Sequence, residues 1–304
     1  MGKATLSVIV PSFNRPRSTL AAVQSVLTQN VECEVIVVDD ASDDPEALPA
    51  VLREHAHVRL VRRDANGGAG AARNTGLAHA RSDLVSFLDS DDRLLPGTLA
   101  PRMEKALAIG FGSPEAPVIH ACGWREAGGR NRQRFPRSSI APRDFFSACW
   151  FAPGSALLAR TDLFRCSGPG TGATPGRPPF GPFDERLRRL EDFDLFARLA
   201  TDGLALVGQP VLGVELDAAY SAETSEIFKA ADLLESKFET LLTEGRIGHA
   251  SARSVKAYLA YERAAAYARS GRKGRALAAL AASLACKPRL TLFPGPGWDR
   301  AWQG

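Results

Sequence analysis

Residues 84–92 read LVSFLDSDD, an apolar run that ends in carboxylates. A short apolar run bounded by turn-forming residues predicts a buried strand of a sheet that is covered on both faces. Asp89 and Asp91 are two residues apart, so in an extended chain their side chains project from the same face. Carboxylate oxygens are hard ligands that suit Mg²⁺ or Mn²⁺, and the pair therefore predicts a metal site. A simple turn that ends the strand is the alternative.

Similar apolar runs alternate with helix-like segments through the first 122 residues. They predict strands at 6–10, 35–38, 58–61, 84–88 and 118–121, and helices at 18–29, 45–54, 70–81 and 96–109. This alternation is typical of an α/β fold with an open, mostly parallel sheet flanked by helices. Ligands of such sheets bind outside the carboxyl ends of the strands. We therefore expect a site where Asn14, Asp40 and Asp89 follow their strands.

The second half of the chain changes from strands to helices. Residues 167–182 are rich in Gly and Pro and predict a long mobile loop, which a helix at 190–201 and strands at 204–207 and 211–216 follow. Helical periodicity then continues from 224 to 287, with breaks at Gly245 and Gly271. We expect one α/β domain over 1–216 and a helical C-terminal extension over 217–304.

Composition excludes several classes of protein. Hydrophobic residues make up 45% and charged residues 24% of 304 residues, which is typical of a globular chain. The five cysteines are widely spaced and form no CxxC pair, so neither a disulfide framework nor a zinc site is expected. The chain has no apolar run long enough to span a membrane and no signal-peptide pattern at its start, and we expect a cytoplasmic protein.

Charge is unevenly distributed along the chain. The net charge of +4 is too small to indicate a nucleic-acid-binding protein, but residues 252–289 carry nine basic residues against Glu262 alone. This basic segment predicts peripheral contact with an anionic membrane, at the inner face of the membrane for a cytoplasmic protein. A solvated helix face is the alternative.

Residues 66–76, NGGAGAARNTG, form a glycine-rich turn into a helix. The segment resembles a dinucleotide fingerprint, but Arg73 takes the place of the third glycine and the segment follows the third strand, so an NAD site is not expected. Free backbone amides at a helix start together with an arginine favour an anion such as a diphosphate. A tight turn with a solvated Arg73 is the alternative.

Residues 183–199, FDERLRRLEDFDLFARL, contain the start of a predicted amphipathic helix, and the first turn of this helix carries carboxylates. Glu191 and Asp192 fall in the first turn, where the helix dipole favours ionised side chains. An ionised aspartate near an acceptor hydroxyl can act as a general base. An ordinary acidic helix start, with an ion pair between Arg188 and Asp192, is the alternative.

Five motifs in this order resemble family two of the glycosyltransferases, the inverting enzymes with a GT-A fold. They are VPSFNRP at the first strand, VVDDASDD at the second, NGGAGAARNTG, FLDSDD, and FDERLRRLEDFDLFARL. The resemblance extends from about Leu6 to Leu216. It implies a nucleotide-sugar donor, a Mn²⁺ or Mg²⁺ cofactor, and a glycan or lipid-linked glycan as acceptor.

The resemblance also implies roles for individual residues. Asp192 would be the general base and Asp91 the metal ligand, while Asp184, Glu185 and Glu191 would face the acceptor or support the site. The residues implied in binding the nucleotide sugar are Pro11, Phe13, Asn14, Asp40, Gly70, Arg73, Asp89 and Ser90. Residues 215–226, ELDAAYSAETSE, contain no basic residue or histidine that would help the diphosphate to leave.

We therefore expect a metal-assisted, inverting glycosyltransferase. A sugar-phosphate nucleotidyltransferase is one alternative, because it too uses a glycine-rich turn, an arginine and carboxylate-bound Mg²⁺. That turn belongs after the first strand, where this chain has PSFNRP. A non-catalytic scaffold protein that binds nucleotide sugars in a glycan-assembly complex is the other alternative.

Overall fold

A computed structural model describes residues 5–55, 58–113, 116–127, 133–149, 154–165, 182–217 and 224–288. The strands are β1 (Leu6–Ser12), β2 (Cys33–Asp39), β3 (Val58–Arg62), β4 (Leu84–Phe87), β5 (Arg93–Leu94), β6 (Gly112–Ser113), β7 (Ala116–Glu126), β8 (Gln133–Arg134), β9 (Leu157–Arg160) and β10 (Ala205–Leu216). The helices are α1 (Pro16–Leu27), α2 (Ala47–Leu52), α3 (Gly68–His79), α4 (Leu99–Ile109), α5 (Pro142–Phe145), α6 (Thr161–Arg165), α7 (Glu191–Thr201), α8 (Thr224–Thr243), α9 (His249–Arg269) and α10 (Lys273–Cys286). Of the predicted loop at 167–182, only Pro182 lies within the described residues.

The strands form one sheet with the order β3-β2-β1-β4-β9-β7-β10-β5. The first four strands in this order are parallel neighbours, and β7 and β10 are also parallel. β9 joins the two halves by antiparallel pairing with both β4 and β7. The expected α/β fold with an open, mostly parallel sheet and flanking helices is confirmed.

The predicted elements differ from the observed ones mainly at their ends. α1 begins at Pro16, two residues before the predicted start, because the fixed backbone angle of proline suits the first helical position. The two strands predicted at 204–207 and 211–216 are one strand, β10, with register irregularities between Gly208 and Val214. β9 begins at Leu157 because residues 154–156 form a 3₁₀ turn.

Helix α3 lies unusually close to the central strand β1. A Cβ atom on Gly76 would lie 2.3 Å from Cγ2 of Ile9, so only glycine permits this approach. Both Ile9 and Gly76 are buried in the interface. The close packing fixes the amino-terminal turn of α3, and with it Arg73, beside the carboxyl ends of β1 and β4.

The C-terminal helices α8 and α9 share the hydrophobic core of the sheet. Phe238 of α8 packs edge-on against Phe146 and tilted against Phe193 of α7. Lys237 of α8 donates to the fully buried carboxylate of Asp184 at 2.8 Å. The core is therefore continuous across the predicted domain boundary at residue 216, and the α8 position is fixed relative to the sheet.

The predicted breaks in the C-terminal helical region are confirmed. Gly245 and Gly271 both have positive φ values, of 72° and 73°, in the connections that follow α8 and α9. Within the described residues, no helix has the length and apolar character needed to span a bilayer.

Candidate active site

A cavity of about 650 Å³ lies at the carboxyl ends of the parallel strands. Its walls come from the ends of β1 and β4, the start of α3, the segment that leads into α7, and α8. The predicted site residues on its walls are Pro11, Phe13, Asp40, Arg73, Asp89, Ser90, Asp91 and Glu191. The topology therefore brings together residues that are up to 180 positions apart in the chain.

Arg73 is the central buried charge of the site. Its side chain is 2% exposed and contacts Asp89 at 2.7 Å, Glu191 at 3.0 Å and Asp192 at 3.5 Å. Burial alone would lower the pKa of Arg73, but the three carboxylates raise it instead, so the guanidinium stays charged. The alternative of a solvated Arg73 is therefore wrong. The Arg73 side chain joins the end of β4 to the start of α7.

Two aromatic rings also lie close to the Arg73 guanidinium. Its guanidinium carbon lies 5.4 Å from the ring centre of Phe183 and 6.0 Å from that of Phe87. A side chain on Gly154 would meet the guanidinium at 3.0 Å. These neighbours hold the arginine in one place and limit its movement toward the cavity.

The three aspartates after β4 have different surroundings. Asp89 and Asp91 have side chains that are 33% and 20% exposed, and Asp91 is paired with Arg15. Asp92 is buried and accepts hydrogen bonds from Ser155 Oγ at 2.5 Å and from the Asp217 amide at 3.1 Å. Burial, with the charge of Asp89 beside it, raises the pKa of Asp92 to about 8. Asp92 thus ties the β4 end to β9 and β10, while Asp89 and Asp91 face the cavity.

Asp40 serves as the anion for the glycine-rich turn. Its carboxylate accepts hydrogen bonds from the amides of Gly67 at 2.9 Å and Gly68 at 2.6 Å, and from Arg63 at 2.8 Å. The expectation that these amides are free for a diphosphate is therefore wrong. They are satisfied within the protein because β2 delivers a buried aspartate to the start of α3.

Asn14 and Gly70 contribute to the site indirectly. The Asn14 side chain exchanges two hydrogen bonds with Asp43, at 2.8 and 2.9 Å, and so ties the loop after β1 to the loop after β2. A Cβ on Gly70 would lie 3.3 Å from Cβ of Phe183 and 3.6 Å from Cγ of Glu191. Neither residue is on the cavity wall, and both shape the segments that form it.

Asp192 and Glu191 start α7 beside Arg73. Leu190, in the left-handed conformation with φ of 62°, turns the chain sharply into the helix. Burial, which Glu191 and Asp89 reinforce and Arg73 opposes, raises the pKa of Asp192 to about 7. Its side chain is 20% exposed. Glu191, unlike Asp192, lies on the cavity wall.

The ion pair between Arg188 and Asp192, which the acidic-start alternative requires, does not form. Arg188 instead donates to the carbonyl oxygen of Asn66 at 2.7 Å, across the mouth of the cavity. Its side chain packs against Gly68, where a Cβ would come within 2.9 Å of Cδ of Arg188.

Asp184 and Glu185 precede this helix and have structural partners. Asp184 has no exposed surface and accepts hydrogen bonds from Arg186 at 2.7 Å and Lys237 at 2.8 Å. Burial would raise the pKa of Asp184, but these cationic donors hold it well below its usual range. Asp184 is therefore a buried residue that joins the segment before α7 to α8. Glu185 is exposed and accepts a hydrogen bond from Asn74 at 3.0 Å.

Comparison with known proteins identifies the family. The sequence model of Glycosyl transferase family 2 matches residues 7–168, which is more than half of the chain. The chain belongs to glycosyl transferase family 2.

Two named relatives illustrate the family. Over 108 residues the chain is 39% identical to the succinoglycan biosynthesis protein ExoO of Rhizobium meliloti, a match that covers 34% of this chain and 30% of the relative. Over 105 residues it is 37% identical to the GalNAc(5)-diNAcBac-PP-undecaprenol beta-1,3-glucosyltransferase of Campylobacter jejuni, covering 33% of this chain and 34% of the relative. The chain thus spans about a third of the length of each of these relatives.

Two solved structures share the fold. The mannosyltransferase PcManGT from Pyrobaculum calidifontis, in complex with GDP-Man and Mn²⁺, has a TM-score of 0.56 at 21% identity, over 92% of this chain and 75% of that one. Residues 1–349 of S. aureus TarS, in complex with UDP, have a TM-score of 0.53 at 18% identity, over 91% and 90% of the two chains. These similarities confirm the GT-A-like fold with a helical C-terminal part.

The chemistry of the family-2 site fits a divalent metal. Asp89 and Asp91 present hard oxygen atoms to the cavity, and Arg15 already supplies a positive charge to Asp91. Within the described residues, no cluster of three or more His, Cys, Asp or Glu side chains forms a complete set of ligands. One or two carboxylates suit an ion that keeps waters and binds a substrate phosphate as well.

Several residues on the cavity wall were not among the predicted site residues. Five of them are charged, and four of these five are basic: Arg15, Arg188, Arg189, Glu226 and Lys229. Arg15 lies within the VPSFNRP motif, and Arg188 within the segment before α7, so both were near recognised motifs. Lys229 belongs to α8, beyond the segment 215–226 in which no basic residue is present. Only the packing of α8 against α7 could reveal it.

Proposed function

We propose that this family-2 chain is an inverting glycosyltransferase. It would transfer a sugar from a nucleoside-diphosphate sugar to a hydroxyl group of a glycan or lipid-linked glycan acceptor. The observation that carries the proposal is the buried bridge that Arg73 makes from Asp89 to Glu191 and Asp192. The bridge supports the proposal because it holds the proposed donor-side carboxylate, Asp89, and the proposed base, Asp192, around one buried cation. Burial raises the pKa of Asp192 to about 7.

Asp192 acts as the general base in this proposal. It takes the proton from the attacking acceptor hydroxyl, whose oxygen then forms a bond to the anomeric carbon while the bond from that carbon to the diphosphate oxygen breaks. Attack on the face opposite the diphosphate inverts the anomeric centre. A base with a pKa near neutrality suits proton transfer at physiological pH.

The donor side has Asp91 as the metal ligand and Asp89 beside it. Mn²⁺ or Mg²⁺, when bound, would stabilise the negative charge that develops on the leaving diphosphate. Arg73 lies between Asp89 and Asp192 as a shared positive charge, and Asp40 with Arg63 fixes the wall of the cavity at the glycine-rich turn.

The test is nucleoside-diphosphate release from a panel of donors with Mn²⁺ and an acceptor mixture. Product stereochemistry by NMR separates inversion from retention. The parent chain should turn over one donor with inversion, while Asp192→Asn should not. The matched control is Asp202→Asn, at the opposite end of α7. It should keep full activity, because Asp202 lies away from Arg73 and forms a partly exposed ion pair with Arg246 at 3.3 Å. If the parent chain released nucleoside diphosphate from no donor of the panel, the result would contradict the proposal.

The same assays separate the two alternative functions. A sugar-phosphate nucleotidyltransferase would form a nucleotide sugar from a nucleoside triphosphate and a sugar 1-phosphate, with release of pyrophosphate. A non-catalytic scaffold would bind nucleotide sugars, but the parent chain would then release no product from any donor.

We also propose that α10 contacts an anionic membrane at the cytoplasmic face. Two basic residues of the segment 252–289 are paired with α8: Lys256 with Glu239 at 3.1 Å, and Arg263 with Asp232 at 2.6 Å. The start of α10 instead exposes Arg272, Lys273 and Arg275. The charge available to a membrane is thus concentrated at one end of α10.

The exposed surface of α10 is apolar beyond its basic start. Leu277 and Leu284 are 67% and 38% exposed and lie seven residues apart, which places them on the same face of the helix. An apolar face beside basic residues is typical of helices that lie in the membrane interface. The chain should co-sediment with vesicles rich in phosphatidylglycerol, and high salt should release it.

A charge-matched pair of variants tests the membrane contact. Lys273→Gln should weaken the co-sedimentation, whereas Lys256→Gln should not, because Lys256 is already paired. Equal binding to neutral and anionic vesicles would show that the basic residues are only a solvated face.

A further inference from the structure

Arg15 pairs with Asp91 on the wall of the cavity. Its backbone is fixed, because the Arg15 carbonyl oxygen accepts hydrogen bonds from the amide of Thr19 at 2.9 Å and from its hydroxyl at 2.7 Å. Its side chain is 35% exposed and lies outside α1, which begins at Pro16. Arg15 therefore has an anchored backbone and a charge that is partly open to solvent.

The other two aspartates of the turn after β4 have more permanent partners. Asp89 is held by the buried guanidinium of Arg73 at 2.7 Å. Asp92 is held by Ser155 and by the amide of Asp217. Asp91 is thus the carboxylate of this turn whose partner is most easily displaced, because a partly exposed ion pair contributes little to stability.

We propose that Arg15 exchanges partners during donor binding. In the ligand-free chain it neutralises Asp91, and when a divalent metal binds Asp91 the guanidinium turns to the diphosphate of the donor. This inference rests on the proposed function, which assigns the metal to Asp91.

Two properties of Arg15 favour this exchange. A guanidinium presents a planar fork of N–H donors that matches both carboxylate and phosphate oxygens. It can therefore form the same kind of paired hydrogen bonds with a diphosphate as with a carboxylate. Arg15 also lies on the cavity wall with Ser12 and Phe13, so its anchored backbone keeps the side chain within the same cavity in both states.

The exchange predicts opposite effects on two affinities when Arg15 is replaced. Arg15→Gln removes the competitor for Asp91, so the affinity for Mn²⁺ alone should rise by up to about fivefold, as expected for loss of a partly exposed ion pair. The same substitution removes a donor to the diphosphate, so the affinity for UDP or GDP in saturating Mn²⁺ should fall by about tenfold to a hundredfold. A residue that only competes with the metal would not weaken nucleotide binding.

Arg17→Gln is the matched control. Arg17 lies in α1, two residues after Arg15, and its side chain is exposed and is not part of the cavity wall. The substitution removes the same charge as Arg15→Gln. It should leave both affinities close to those of the parent chain. Arg15→Lys keeps the charge without the planar fork, so it should keep the Mn²⁺ affinity of the parent chain and recover only part of the nucleotide affinity.

The measurements are isothermal titration calorimetry with Mn²⁺ alone and with UDP or GDP in Mn²⁺, on the full chain. Circular dichroism melting curves establish that each variant is folded. An Arg15→Gln variant that melts like the parent chain and leaves both affinities unchanged, or changes them in the same direction, would overturn the exchange. Failure of the parent chain to bind Mn²⁺ and both nucleotides would overturn the proposed function with it.

Discussion

Replacement of Asp192 by asparagine is the most direct test of the proposed base. The carboxamide has the same shape as the carboxylate and can still offer its oxygen to Arg73, which lies 3.5 Å from Asp192. Asp89 and Glu191 remain to neutralise that arginine, at 2.7 and 3.0 Å. We therefore expect Asp192→Asn to fold normally and to bind nucleotide almost as well as the parent chain.

Turnover should nevertheless fall steeply in Asp192→Asn. A positioned proton acceptor contributes about 10²–10⁴-fold to the rate, which corresponds to about 3–5 kcal/mol of transition-state stabilisation. The assay is release of nucleoside diphosphate with a competent acceptor, together with the calorimetric affinity for the free nucleotide. The two readouts separate loss of the base from damage to the donor site.

The pH dependence of the parent chain gives an independent readout. Because burial raises the pKa of Asp192 to about 7, the carboxylate that accepts the proton predominates only above that pH. The value of kcat/KM should rise with pH through about 7 and be about a hundredfold lower at pH 5 than its plateau, since each unit below the pKa lowers the ionised fraction tenfold. A residual activity of Asp192→Asn should lack this rise.

Glu191→Gln provides the comparison that could refute the assignment. Glu191 lies on the cavity wall and contacts the same arginine, so it is the nearest rival for the base. If the role of Glu191 is to balance the charge of Arg73, Glu191→Gln should lower turnover much less than Asp192→Asn does. Near-parental turnover of Asp192→Asn, or a larger loss in Glu191→Gln, would show that the reasoning about Asp192 is wrong.

Three further predictions concern the metal and the packing of the site. Asp91→Ala should abolish turnover without altering the circular dichroism spectrum, and excess EDTA should do the same to the parent chain; full turnover in EDTA would contradict the metal site. Lys237→Met removes the ammonium group that the buried carboxylates of Asp184 and Asp194 share, although each keeps one arginine partner, and should lower the free energy of unfolding in urea by about 1–3 kcal/mol. Lys256→Met, at an exposed pair, should change it by less than about 1 kcal/mol, and similar losses in both variants would contradict the role of burial. Gly76→Ala should destabilise the chain by about 1–3 kcal/mol because its Cβ overlaps Ile9, and an unchanged melting temperature would show that α3 can shift.

The sequence predicted the donor half of the fold well because its signals are local. Each of β1, β2 and β4 is a short apolar run followed by a polar residue, so both the strand and the edge at which it ends could be inferred from a few positions. The same logic identified Asp40, Asp89 and Asp91 at one edge of the sheet. The breaks at Gly245 and Gly271 were also local, because a glycine with positive φ ends a helix.

What the sequence did not reveal depends on contacts between distant segments. The amides of Gly67 and Gly68 were expected to be free, but β2 brings the carboxylate of Asp40 to them from 27 residues away. Arg73 was expected to favour an anion such as a diphosphate, and its motif did not show that the packing of α3 on β1 also surrounds it with carboxylates. In both cases the motif was recognised, and its partner was decided by tertiary packing.

The wall of the cavity combines a part within the family match and a part beyond it. The family match ends at residue 168, yet Arg188, Glu191 and Lys229 line the same cavity as Asp89 and Asp91. Asp40 already accepts hydrogen bonds from the amides of Gly67 and Gly68, so we expect basic side chains to supply much of the attraction for an anionic donor. Three basic residues of the wall belong to the part beyond the family match: Arg188, Arg189 and Lys229. Lys237 and the aromatic contacts of Phe238 fix α8 against α7, so this part is as firmly positioned as the sheet. Selectivity for donor and acceptor should therefore respond most to substitutions at the start of α7 and along α8.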